Sequence, residues 1–112
     1  MAEQFSEIER NAMAGDIRAQ RQLADCYLNG CPGLASPDPA LACAWHIVLI
    51  ASGSPQVTPT DIEARKLSCG SLQAEQQRKA ANEAKAIVAK LHGRELVLPA
   101  DFFEGPRRAP PR

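Results

Sequence analysis

From Asp38 to Gly53 the chain reads DPALACAWHIVLIASG, and this stretch constrains the fold more than any other. Asp-Pro is a helix start. The aspartate accepts hydrogen bonds from the free amides of the first turn, and proline at the first helical position gives up no needed donor there. The helix it opens should run to about Ser52 and be ended by Gly53. Leu41, Ala42, Trp45, Ile47, Val48, Leu49 and Ile50 make it apolar nearly all round, so no side of it is suited to water. It is expected to be the most buried element, with other helices packed against it.

The flanking segments supply those neighbours. Phe5, Ile8, Ala12 and Met13 recur at the three-and-four spacing of one helix face, and Gly15 stops that helix. Asp16 can cap the next one, where Ala19, Leu23, Tyr27 and Leu28 form a stripe up to Asn29-Gly30. The CPGLASP segment before Asp38 is dense in turn formers and reads as a loop. After a linker over Ser54 to Pro59, Thr60 with Glu63 matches a capping box for a short helix ending near Cys69-Gly70. Ser71 then starts the longest helix, running to about Leu91, with Ala80, Ala84, Ile87, Val88 and Leu91 on one face; His92 and Gly93 suit its end. Only Glu95 to Leu98 hints at strand alternation, and it is too short to count. The fold class is all-α.

With 13 basic and 13 acidic residues in 112, the formal charge is zero, which argues against nucleic acid as a partner. The length allows one domain, or one domain with a tail. The first ten residues, MAEQFSEIER, lack the basic start and apolar run of a secretory signal, and the run Ile47 to Ala51 is far too short to span a bilayer. The chain therefore reads as cytoplasmic and not membrane-bound, with Cys26, Cys31, Cys43 and Cys69 expected as thiols. The last residues, DFFEGPRRAPPR, have the composition of an extended, disordered tail, with Phe102 and Phe103 expected to pack back on the helices. The domain division is 1–93 helical and 94–112 tail.

Helix pairs joined by short loops invite a search for repeats. Ala19-Gln20, Leu23, Tyr27 and Gly30 on one helix, followed by Asp38, Ala42, Trp45 and Gly53 on the next, resemble the signature of the Sel-one-like repeat family, a helix-pair module related to tetratricopeptide repeats. The best match covers residues 15–53, with 71–92 resembling the longer alanine-rich terminal helix of bacterial members. Ala24 departs from the family's usual glycine, and the Gly30 to Asp38 loop is longer than usual by about two residues. The resemblance implies a short α-solenoid of stacked antiparallel helix pairs, with the last helix as a cap. Independently, the small residues Ala19, Ala40, Ala42 and Ala44 permit close helix approach, and Tyr27 and Trp45 are expected to fill the core between layers.

The expected function is that of a non-catalytic adaptor or regulatory module whose partner is another protein or a second copy of itself. Solenoids of this kind present a concave face lined by their first helices, so the polar positions outside the stripe, Arg18, Arg21, Gln22 and Asp25, are the candidate contacts. One alternative is a zinc- or thiol-dependent regulator using Cys26, Cys31, Cys43 and His46. Cys43 and His46 stand three apart on one helix, and four ligands are what structural zinc takes. Another is a cytoplasmic inhibitor of an enzyme or toxin. No phosphate loop, paired catalytic carboxylates or nucleophile elbow is present in the sequence, and neither an enzymatic role nor a cofactor is expected.

Overall fold

The computed structural model describes residues 2–33, 36–99 and 102–104. Among them are the helices α1 (Ala2–Met13), α2 (Ile17–Asn29), α3 (Pro39–Ala51), α4 (Pro59–Gly70) and α5 (Ala74–His92), followed by a single 3-10 turn at Phe102–Glu104. No strand occurs among the described residues. The class is all-α.

Two starts form as their cap residues dictate. Asp16 Oδ1 accepts from the amides of Arg18 at 3.0 Å and Ala19 at 3.4 Å, and Asp38 Oδ1 accepts from Leu41 N at 3.2 Å. The α4 start differs from the Thr60–Glu63 reading. Thr58 is the cap: its Oγ1 accepts from Asp61 N at 3.3 Å, and Asp61 Oδ2 accepts in return from Thr58 N at 2.9 Å. Pro59 explains the shift, because a residue without an amide fits best at the first helical position and so places the cap just before it. α5 also starts later than Ser71, which instead ends α4. Leu72 turns inward and is 7% exposed, so the chain must bend there before a new helix can begin. At the far end Gly93, at φ 64°, ψ 27°, closes α5 by donating its amide to Ala89 O at 3.0 Å. A side chain would be strained in that left-handed conformation.

α3 is the centre of the molecule. Ala40 and every residue from Ala42 to Leu49 are buried, and the helix packs against α2, α4 and α5, while α1 packs on α2. Cross-links fix the directions. Cys43 meets Cys69 and His46 meets Ser68, so α3 and α4 run antiparallel. Lys79 reaches Asp38 at 3.3 Å and the Arg94 guanidinium donates to Ala51 O, so α5 runs parallel to α3. Ala19, Ala24, Ala40, Ala42 and Ala44 are all at most 3% exposed and line the helix contacts. Tyr27 and Trp45 are buried as expected, and the Phe5 ring meets the Tyr27 ring edge-on at 5.9 Å.

The cysteines are not thiols. Cys43 and Cys69 form a disulfide joining α3 to α4, with Cα atoms 4.9 Å apart, and Cys26 and Cys31 form a second one at the end of α2, with Cα atoms 5.1 Å apart. Sequence spacing cannot show which residues of two antiparallel helices face each other, and here that facing decides the pairing. Disulfides form and persist in oxidising compartments, so the cytoplasmic reading loses the free thiols it assumed.

Beyond Gly93 the chain stays on the surface of the bundle for several residues: Leu96 is buried, while Val97 is 75% exposed. Phe102 and Phe103 pack back on the helices, their rings perpendicular at 5.0 Å, with the Arg65 guanidinium carbon 4.7 Å from the Phe102 ring centre. The proline- and arginine-rich segment 105–112 lies outside the described residues.

The Cys43–Cys69 bridge closes a long segment between helices, and the chain-entropy relation gives it roughly 3.5 kcal/mol. Replacing both cysteines by alanine should therefore lower the melting temperature by more than ~10 °C. Replacing Cys26 and Cys31, which close a much shorter loop worth about 2 kcal/mol, should lower it less. Thermal unfolding of the two double variants, followed by circular dichroism, checks the order.

Candidate functional site

α2 and α4 both pack on α3, and a groove opens between them. Arg21, Asp25 and Leu28 line it from α2, Thr60, Asp61, Ala64 and Leu67 from α4, and His46 from α3, around a volume of about 320 Å³. Successive lining residues on each helix stand one to four apart, so each helix offers one face to the groove. The outer parts of the walls are apolar: Leu28 is 40% and Leu67 74% exposed.

One ion pair holds the two walls together. Arg21 donates through Nε to Asp61 Oδ1 at 2.7 Å and through an Nη to Oδ2 at 2.8 Å, and the same Nη reaches Gln56 O at 3.1 Å. The planar fork of a guanidinium matches both oxygens of a carboxylate at once. Asp61 is almost fully buried although it is charged, because it serves as both the partner of Arg21 and the capping residue of α4. Arg21 and the Thr58 contacts hold its carboxyl down at about 2.

His46 is 6% exposed. Its Nδ1 lies 2.8 Å from Ser68 Oγ, and Ser68 Oγ lies 3.4 Å from Arg65 O. Both contacts are satisfied together when Nδ1–H donates to the serine and the serine hydroxyl donates to the carbonyl. Burial holds the ring below its ordinary pKa and so favours the neutral form; Asp61 and Asp25 oppose this and Arg65 assists it. Ser68 itself is 2% exposed, so its hydroxyl orients the histidine and is shielded from anything in solution.

Of the four contact residues expected from the sequence, Arg21 and Asp25 line the groove, while Arg18 and Gln22 are exposed and do not. Cys26, Cys31, Cys43 and His46 do not form a ligand cluster: the sulfurs are taken up in two disulfides, and His46 turns to Ser68. Among the described residues no group of three or more His, Cys, Asp or Glu is placed to hold a metal ion. No helix there is long and apolar enough to cross a membrane. The α4 half of the groove was missed by the sequence reading. Its available signal was Leu67, a large apolar residue between Lys66 and Ser68 and off the buried face.

Comparison with models of known protein families, with characterised proteins and with solved structures finds no match. The repeat likeness therefore rests on the quoted residues alone.

Because Asp61 has a lower pKa folded than its ordinary value of 3.8, the folded state binds fewer protons than the unfolded chain in acid. Its contribution is present above about pH 4 and is lost as pH falls toward 2. Asp61→Asn should flatten the dependence of the urea midpoint on pH across that window relative to wild type. Arg21→Ala should destabilise by about 1–3 kcal/mol at pH 7, because it leaves a buried carboxylate without its cation. His46 has the same sign at higher pH. The unfolded chain protonates near pH 6.5 while the folded ring resists, so its contribution is lost as pH falls below that value. The His46 ring resonances should titrate below the ordinary histidine midpoint.

Proposed function

We propose that this protein is a non-catalytic adaptor that binds a partner protein through the α2–α4 groove. The observation that carries this reading is the groove itself, which puts exposed leucines beside two polar residues expected at a binding face. Protein interfaces combine such apolar centres with a polar rim. A shallow, half-open groove of this kind suits a side chain or short segment of another chain.

The helix directions alternate as in a short solenoid, with α2–α3 as one packed pair, α4 and α5 both set against α3, and α1 in the place of a preceding second helix. In that arrangement α2 and α4 are the first helices of their pairs, and the groove lies on the face that such stacks use for binding. α5 carries its polar residues outward, as an end cap requires. The bidentate Arg21–Asp61 pair spans the two units and sets the width of the groove.

Tagged wild-type protein and the variant Leu67→Glu should be compared in affinity capture from cells that make the protein. Leu67 is 74% exposed, so the replacement should leave the unfolding free energy within about 0.5 kcal/mol of wild type. A partner retained by wild type and by Arg18→Ala but lost with Leu67→Glu is the expected result. Equal capture by all three, or a bare monomer by light scattering with no partner captured, would sink the reading.

A further inference from the structure

The groove has an electrical asymmetry that narrows what enters it. Three charged side chains line it: Arg21, Asp25 and Asp61. Arg21 and Asp61 neutralise one another through two short hydrogen bonds, and the Asp61 oxygens also serve Thr58. Asp25 is exposed, and among the described residues its carboxylate is contacted by a neutral donor, the Asn29 amide, at 2.7 Å on Oδ1. With His46 neutral, the lining therefore carries one uncompensated negative charge. The floor adds a second acceptor. His46 is more than nine-tenths buried and lines the groove; when Nδ1–H donates to Ser68 and the serine hydroxyl donates on to Arg65 O, Nε2 carries the lone pair, with no partner among the described residues.

From this geometry we infer that the groove takes one arginine or lysine side chain of the partner, its aliphatic stem on Leu28, Ala64 and Leu67 and its cationic head on Asp25 and His46 Nε2. This rests on the adaptor reading and adds the chemistry of the partner to it. A long basic side chain is the natural occupant of such a site, because its methylenes cover apolar surface while its head seeks charge and acceptors. An acidic side chain would meet the free Asp25 carboxylate and a lone pair, and would be repelled. A purely apolar side chain would cover His46 Nε2 without offering it a donor, which is unfavourable because the nitrogen would lose access to water and gain no hydrogen bond. Arg21 does not repel the incoming head strongly, since its charge is matched by Asp61 at contact distance.

The probes are N-acetyl-arginine N-methylamide and its citrulline analogue, which has the same shape without the charge. Each is titrated into the full chain while the methyl signals of Leu28 and Leu67 and the His46 ring signals are followed by NMR. The arginine probe should shift these signals at millimolar concentration, and the citrulline probe should bind about three- to fivefold more weakly, as expected for a partly exposed ion pair. Asp25→Asn, at an exposed position, should reduce arginine binding to the citrulline level, while Arg18→Ala should leave it unchanged. Equal binding of the two probes, no shift with either, or an unaltered affinity in Asp25→Asn overturns the proposal. So does a concentration-dependent dimer abolished by Asp25→Asn, which would assign the groove to a second copy. If arginine fails while capture still depends on Leu67, the cation site is wrong and the adaptor reading stands. If capture is also indifferent to Leu67, both fail.

Discussion

A helix that has no polar side must be enclosed, and the rest of this molecule follows from enclosing α3. Its thirteen residues contain no charged side chain and only one polar ring, His46. Burying such a surface releases apolar area from water on every side, at about 25 cal/mol per Å². That requirement brings α2, α4 and α5 around one axis, and the alanines at 19, 24, 40, 42 and 44 let them approach closely. The groove is a by-product of the same enclosure. Two helices packed on a third without closely touching each other leave a furrow, and α2 and α4 leave theirs over His46.

The furrow is kept open by polar contacts rather than filled by apolar ones. A buried carboxylate is tolerable only with its partners, and Asp61 has both a guanidinium and a helix start to satisfy. Loss of either would leave charge in a poorly hydrated place, so the pair fixes how α2 sits against α4. Below it, the Ser68–His46 contact fixes the ring. The groove thus has apolar walls whose position is set by specific hydrogen bonds, so its shape is defined by this chain alone.

The disulfides act on the same packing from another side. Cys43 and Cys69 join the two helices that carry His46 and Ser68, so the bridge and the hydrogen bond are neighbours along one seam. In a chain of this size, where the apolar core is small, a covalent tie between helices removes unfolded conformations that burial alone must otherwise outweigh. Gln20 shows how far the packing dominates. Its Nε2 donates to Ala12 O at 3.0 Å, while among the described residues Oε1 is left buried without a partner. The same side chain thus ties α1 to α2 through the Ala12 oxygen while leaving its own unsatisfied.

Local chemistry along the chain was sufficient to place the helices. Asp16, Asp38-Pro39 and Gly93 act within a few residues of themselves, so their effect is readable without knowing the fold. The all-round apolar run of α3 likewise marked the core, since burial of that run does not depend on which neighbours provide it. Where two local signals competed, at Thr58-Pro59 against Thr60, the proline prevailed because it has one comfortable position. Arg21 and Asp25 were legible as polar residues beside a buried stripe, but their joining with Leu67, Asp61 and His46 was not. The cysteine pairing was hidden for the same reason. Both depend on the rotation and direction of α4 against α2 and α3, and those are set by side-chain packing across helices far apart in sequence, which no local spacing encodes.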